Sequence, residues 1–400
     1  MTEKSRPAGP DPFWRCPTCG TPNPSRSYLT QCLGCGAPAS TEAVADAPPS
    51  TATTSRTKSR RRWDRALVIA SWIYAALILT SLGLINWIGE DWWGVTVLLF
   101  TPRWLFLGPV ILLALASGFA RRPSHWLLQA TIGVVVAGPL MGFSFSPERL
   151  WSRPVEGTPL RILTYNVGAS PIDGKGLVRL IEREKIDLIC FQERFEANPE
   201  VEAYLAANRW HRDSSRFLAS RYPIVAQPAR MKDTTIPGDR YGARLSLARI
   251  RVAEGQELLL SSVHMPTIRP GLYRFLDGDP KGVDYHVKWW RGELGRVVSH
   301  LCQSGTVPIL IGGDFNMPSD DSSMATLQSV FRFGFEDSGL GYGYTRPSRY
   351  PWFRIDHIMA SPECRFLRCW VGPDLGSDHL PLIAEVVLPR SMPLALSKPR

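Results

Sequence analysis

Several common designs are missing from these 400 residues. There is no HExxH motif, which disfavours a zinc protease. No pattern recurs at a fixed period, so a solenoid or propeller is excluded. The first 60 residues are polar and show no cleavable signal peptide. Cysteine is too sparse for a disulfide-dense secreted scaffold. Of eight, Cys16, Cys19, Cys32 and Cys35 cluster, while Cys190, Cys302, Cys364 and Cys369 are scattered. Charge of one sign is less informative than the net value of +10 suggests. That value would suit nucleic acid or anionic lipid. Part of it, however, is Arg56, Lys58, Arg60, Arg61, Arg62 and Arg65, just before an apolar segment, where a topology-setting basic cluster belongs.

What is present is sharply segregated. Residues 11–36 carry Cys16-Pro-Thr-Cys19-Gly and Cys32-Leu-Gly-Cys35-Gly, two Cys-x-x-Cys knuckles twelve residues apart. Such a pair places four thiolates tetrahedrally about Zn²⁺, and the spacing predicts a short zinc ribbon. A redox-active or vestigial cluster is the bland alternative. With few aromatic or basic residues inside it, the ribbon suits a cytoplasmic protein partner better than nucleic acid. Residues 37–65 are expected to be a disordered, basic linker.

Residues 66–143 hold three apolar segments, at about 66–88, 104–120 and 126–143. A hydrocarbon core of about 30 Å needs roughly 20 helical residues. Trp87, Trp92, Trp93, Trp104 and Trp126 lie near the segment ends, as interfacial anchors do. The expectation is three transmembrane helices, with the 94–100 run extending the second at the interface; a buried hairpin in a soluble protein is the competing reading. Arg121 and Arg122 mark an inner loop, whereas Glu90 and Asp91 mark an outer one. Arg103 at an outer end is an exception. The N-terminus is then cytoplasmic and everything after about residue 144 lies outside the cytoplasm, in a multi-pass cell-membrane protein.

From residue 160 short β runs alternate with amphipathic helices, at 177–184 and 292–303 among others. Polar residues recur at the ends of the buried runs: Asn166, Glu193, His264, Asp314 with Asn316, Asp356 with His357, and Asp378 with His379. One carboxylate after a strand is ordinarily a turn former or helix cap. Six such places in one domain point to a site. Glu193, Asp314 and Asp378 are hard donors suited to Mg²⁺ or Mn²⁺. Asn166 and Asn316 can orient phosphate or a metal-bound water. His264 and His379 can donate to phosphate oxygens or move protons. No cysteine belongs to the set, which disfavours a thiol nucleophile.

Residues 160–388 resemble the endonuclease/exonuclease/phosphatase superfamily of DNase I-like nucleases, abasic-site endonucleases, neutral sphingomyelinases and inositol polyphosphate 5-phosphatases. The resemblance rests on an ordered set: Leu163-Thr-Tyr-Asn166-Val, Phe191-Gln-Glu193, Ser262-Val-His264-Met-Pro, Gly313-Asp314-Phe-Asn316-Met-Pro, Arg354-Ile-Asp356-His-Ile and Gly376-Ser377-Asp378-His379-Leu-Pro. It implies an α/β fold, a four-layer α/β/β/α sandwich, followed by a flexible tail at 389–400. It implies hydrolysis of a phosphodiester, in nucleic acid, phospholipid or another small phosphoester, by metal-assisted attack of water. It also implies roles. Glu193 holds Mg²⁺ or Mn²⁺ with help from Asn166. Asp314 positions or deprotonates the water, and Asn316 holds water and phosphate. His379, paired with Asp356, stabilises charge or acts as base. His264 contacts the scissile phosphate, and Asp378 orients the site or serves a second metal. His264 resembles the DNase I and sphingomyelinase branches and departs from the abasic-site enzymes. No membrane-insertion loop stands out beside the motifs; the candidate, His286-Val-Lys-Trp289-Trp290, is equally a packing element. A non-catalytic membrane receptor or scaffold on the same fold is the alternative.

Overall fold

The computed structural model describes residues 13–16, 18–24, 31–38, 51–89, 92–120, 123–147, 156–168, 171–193, 198–228, 242–303 and 307–389. Residues 1–63 and 64–400 form two compact units. In the first, strands β1 (Phe13–Arg15) and β2 (Pro22–Pro24) pair antiparallel beside the cysteines. The expected linker is helical in its second half, because helix α1 (Thr51–Gly83) begins inside it. Residues 51–65 contain no proline or glycine, so a helix nucleated in the apolar segment extends backward at low cost. Residues 39–50, the Glu90–Asp91 and Arg121–Arg122 loops and the 390–400 tail lie outside the described residues.

The apolar region is a helical bundle. Helix α1 runs on through a π turn (Leu84–Ile88). Then come α2 (Trp93–Phe100), a 3₁₀ turn (Arg103–Phe106), α3 (Leu107–Ala120) and α4 (Pro123–Val135), which ends in a π turn (Val136–Leu140) around Pro139. Proline has no N–H for the regular ladder, which accounts for the wider turn. Among the described residues, only Arg62–Ile88 is by itself long and apolar enough to cross a membrane. The second expected segment takes a different course. Trp93–Phe100 meets Arg103–Gly118 at 88°, so the 94–100 run lies across the bundle instead of lengthening α3. Pro102 sits at that corner. The third, Ser124–Leu140, is shorter.

Helix α2 has two buried faces. Val95 and Leu99 join Ile78, Ile85, Val110, Ile132 and Val136 in the bundle core. Trp93, Val97 and Phe100 pack against the core of the C-terminal domain. Arg103 explains its exceptional position here: it is buried, donates to the Leu140 carbonyl oxygen at 3.1 Å, and forms a two-pronged ion pair with Asp320. Tyr342 and Tyr344 add hydroxyl bonds to the Ala137 and Met141 carbonyl oxygens, at 3.0 and 2.6 Å. A two-residue strand, β3 (Ser144–Phe145), pairs with β13 (Leu340–Gly341) at the same junction.

The C-terminal domain contains two six-stranded sheets. The first has the order β15 (Arg365–Val371), β16 (Leu382–Leu388), β4 (Thr158–Asn166), β5 (Leu188–Gln192), β7 (Leu218–Ser220), β6 (His211–Arg212). The second runs β12 (Arg332–Phe333), β14 (Asp356–Ala360), β11 (Ile309–Asp314), β10 (Gln256–His264), β9 (Arg244–Ala253), β8 (Ile224–Ala226). Side chains alternate across each strand. Leu160, Ile162, Leu188 and Cys190 therefore meet Leu258, Leu260 and Leu310 between the sheets. Leu163, Tyr165, Ile189 and Phe191 face α5 (Gly174–Arg183) and α6 (Pro199–Ala207) on one outer side. Leu259, Val263, Ile309 and Ile311 face α7 (Arg269–Leu276) and α8 (Lys281–Gln303) on the other. The result is α/β/β/α layering. The expected helix at 292–303 is the second half of the 23-residue α8. Within α8, Trp290 is fully buried and donates to the Phe315 carbonyl oxygen at 2.8 Å, so Trp290 is a packing element.

Two glycines let the layers close beneath the site. A Cβ on Gly312 would stand 3.0 Å from the Cβ atoms of Cys190 and Thr164 in the facing sheet, and one on Gly313 only 2.2 Å from the Val263 carbonyl oxygen.

Candidate active site

The strand pairing brings the motif residues to one edge. Strands β4 and β5 run parallel, as do β10 and β11, so Asn166, Glu193, His264 and Asp314 all emerge at carboxyl ends. His264 is level with Asp314, and Asp314 with Asp356 at the start of antiparallel β14. Ser262 fastens the two sheets there: its hydroxyl donates to the Phe191 carbonyl oxygen at 2.7 Å and accepts from Gln192 at 3.0 Å.

Asp314 is the centre. Its Oδ1 accepts from the Asn316 backbone N–H at 2.8 Å. Around its Oδ2 gather Asn166 Nδ2 at 2.9 Å, Asn316 Nδ2 at 3.3 Å, His379 Nε2 at 3.6 Å and His264 Nε2 at 3.7 Å. Burial pushes the Asp314 carboxyl up from its ordinary range, opposed by the His379 charge. His379 Nδ1 lies 2.8 Å from Asp356 Oδ2, both fully buried. Burial alone would lower this histidine, but Asp356 and then Asp314 outweigh it, and its pKa is pushed up to about 9. The imidazole is thereby held in its charged form with one nitrogen aimed at Asp314.

Asn166 donates to Glu193 Oε1 at 3.1 Å as well as to Asp314. Its side-chain oxygen Oδ1 accepts the Gly168 N–H at 2.9 Å, and a backbone N–H has no other polarity, which fixes the amide orientation. Asn166 thus offers N–H groups to the two carboxylates and orients them. Glu193 is part-exposed, and His264 Nε2 stands 3.8 Å from it. Glu193 and Asn316 both adopt left-handed backbone, at φ 64 and 52°, a conformation uncommon for glutamate and concentrated at functional places. Asn316 also donates to the Met265 carbonyl oxygen at 2.9 Å.

Asp378 is not brought into this cluster. Ser377 and His379 point inward, so the residue between them faces out; its side chain is 53% exposed and ion-paired with Arg346. Ser377 instead holds the Asn166 carbonyl oxygen at 2.7 Å. His357 is buried, bonded to the Met317 carbonyl oxygen at 2.9 Å and edge-on to Phe315 and Phe333, a packing role. The cleft over the cluster holds about 480 Å³ and is lined by Glu193, His264, Asp314 and Asn316 together with Arg244, Arg269, Tyr273 and Arg346. The sequence reading missed the three arginines. Arg244 had one legible signal, its place opposite His264 in a hairpin; Arg346, from a long loop, had none.

The N-terminal cysteines also converge, with all four sulfur atoms within 4.8 Å of one another. Cys16–Cys35 and Cys19–Cys32 sulfurs are 3.7 and 3.6 Å apart. Those separations match the edge of about 3.8 Å expected for four thiolates around one ion, and are far beyond a disulfide. Asn23 Nδ2 and the Gly34 N–H each reach Cys32 Sγ at 3.4 Å, as donors to a thiolate do.

The profile of the Endonuclease/Exonuclease/phosphatase family matches residues 163–379. No curated protein matches the chain. Among solved structures, an endonuclease/exonuclease/phosphatase from Bacteroides vulgatus is 16% identical, covering 58% of this chain and 99% of its own, at TM-score 0.45. A mannosyl-6-phosphatase from Bacteroides thetaiotaomicron is 17% identical, covering 57% and 100%, at TM-score 0.42. TDP2 from D. rerio, complexed with a single-strand DNA product, is 15% identical, covering 58% and 100%, at TM-score 0.42. With the profile spanning more than half of its length and every motif in order, the chain belongs to the endonuclease/exonuclease/phosphatase family and is a hydrolase of phosphoester bonds.

Proposed function

We propose that this hydrolase is a membrane-anchored, divalent-metal-dependent phosphodiesterase whose catalytic domain lies outside the cytoplasm. The observation that carries the chemistry is the Asp356–His379 pair aimed at Asp314. His379, charged at neutral pH, is a donor to phosphoryl oxygen and not a base. The proton from water therefore goes to Asp314, whose raised pKa suits that task. His264, at the cleft wall, donates to the scissile phosphate, and Asn316 aligns it. The acidic donors fit one hard cation: Glu193 opens to the cleft, and Asn166 holds it beside Asp314. Mg²⁺ or Mn²⁺ bound there would neutralise charge developing on the phosphoryl group. Asp378 is reassigned from metal ligand to partner of Arg346 at the rim. Zn²⁺ is the ion for the four cysteines, which serve a structural, cytoplasmic module open to a protein partner.

Membrane anchoring is supported by exposure. A soluble protein buries its apolar helix, yet only 22% of the spanning window in Arg62–Ile88 is buried. Trp72, Ile73, Leu77, Leu79, Ile111 and Leu112 all face outward. Leaving each in water would forgo roughly 1.5–3 kcal/mol. Among the described residues, Arg103, Ala137 and Met141 bond to the domain from one end of the bundle, which suits three crossings with the domain on the outer side.

The test is hydrolysis of bis(4-nitrophenyl) phosphate by the full-length protein in detergent with Mg²⁺ or Mn²⁺, with and without EDTA. Turnover abolished by EDTA, by Asp314→Ala and by His379→Ala is expected. Turnover that survives EDTA would remove the metal from the reading.

A further inference from the structure

Helix α7 leaves the site directly after His264-Met265-Pro266 and ends at the bundle. Its first turn lines the cleft through Arg269, Pro270 and Tyr273. Its last turn places the Phe275 ring 5.2 Å from Trp93 of α2, the helix lying between the bundle and the domain. Next to Phe275, Leu276 is 77% exposed, and Tyr273 is exposed too. At this same end of the bundle Trp87, Trp92 and Trp104 are exposed, Trp87 by 89%, forming an aromatic belt of the kind that marks a headgroup layer. A single exposed leucine means little in itself. This one continues the belt, through one ring contact, to the wall of the active site.

We infer that the end of α7 rests in the outer leaflet, and that the substrate is a phosphodiester in the headgroup of a phospholipid of that bilayer. The inference rests on the anchored-phosphodiesterase reading. A cleft of about 480 Å³ with Arg244, Arg269 and Arg346 in its lining suits one anionic headgroup. Water adds its oxygen to phosphorus, one P–O ester bond breaks, and the proton lost by water passes by way of Asp314 to the departing alkoxide. The products are a phosphomonoester and an alcohol.

The experiment uses the full chain in vesicles of phosphatidylcholine and phosphatidylglycerol with Mn²⁺, and Asp314→Ala as the blank. It follows release from the bilayer lipid beside hydrolysis of bis(4-nitrophenyl) phosphate and of plasmid DNA. Leu276→Glu is expected to slow lipid turnover about tenfold or more, because a carboxylate must enter the headgroup–acyl boundary, and to leave the small diester unchanged, which also certifies the fold. Leu276→Trp is expected to retain lipid turnover. The inference is overturned if Leu276→Glu hydrolyses bilayer lipid at the wild-type rate. It is also overturned if the wild type cleaves the small diester or DNA but not the lipid, a result that leaves the phosphodiesterase reading standing. Turnover of none of the three overturns both.

Discussion

The imidazole of His379 is enclosed by Asp356 and Asp314 with almost no water, and its surroundings dictate a pH signature. Its folded pKa of about 9 lies above the ordinary 6.5, so its ion pairs contribute stability fully below about pH 6.5. That contribution is lost as pH rises through about 9. Denaturant titration of the metal-free protein should show stability declining across this window, and His379→Gln should flatten the decline. Activity should fall along an alkaline limb near pH 9, and Asp356→Asn should move the limb toward neutrality; an unmoved limb would mean another group sets it. Asn166→Ala should weaken Mn²⁺ binding roughly 10- to 100-fold by releasing Glu193 and Asp314, measurable by calorimetry. At this scale the sequence was informative, since Asn166, Glu193, His264, Asp314 and Asp356 sit at or next to strand ends. It did not show which way Asp378 faces, because the side of a loop a residue takes depends on neighbours packed from elsewhere, here Ser377 and Arg346.

Elements were legible where one local period governs them. The apolar runs within β4, β5 and β11 are buried strands because both their faces meet apolar layers. The corner between α2 and α3 was not legible, because an apolar run reads the same whether it lengthens a span or lies between two cores. The Gly312–Gly313 pair lies within β11, with glycine demanded by neighbouring backbone and side chains. Gly313→Ala has no flexible neighbour to displace, since the obstruction is the Val263 carbonyl oxygen, and should cost about 1–3 kcal/mol or more in thermal denaturation. Arg103→Met should loosen the contact between bundle and domain. Asp320 is part-exposed, so the cost should be below the roughly 3–5 kcal/mol of a fully buried pair, read as easier proteolysis of the 315–321 loop.

For the whole molecule, two predictions separate the termini. A reporter active only outside the cytoplasm, fused after residue 389, should be active; one active only inside would reverse the topology. Purified protein should carry one tightly held Zn²⁺ per chain, lost when Cys32 is replaced by serine, as metal analysis would show. The order of parts was legible because composition changes abruptly between them. How the domain meets the bundle was not, since Arg103 and Asp320 are 217 positions apart and nothing local joins them. That junction has one more consequence. With α2 wedged between two cores, the membrane anchoring proposed above would give the cleft a fixed height and tilt above the bilayer instead of a free tether. For any substrate embedded in that bilayer, encounter becomes a two-dimensional search. The rate then tracks the mole fraction of the substrate in the leaflet, and diluting the suspension with buffer leaves it unchanged.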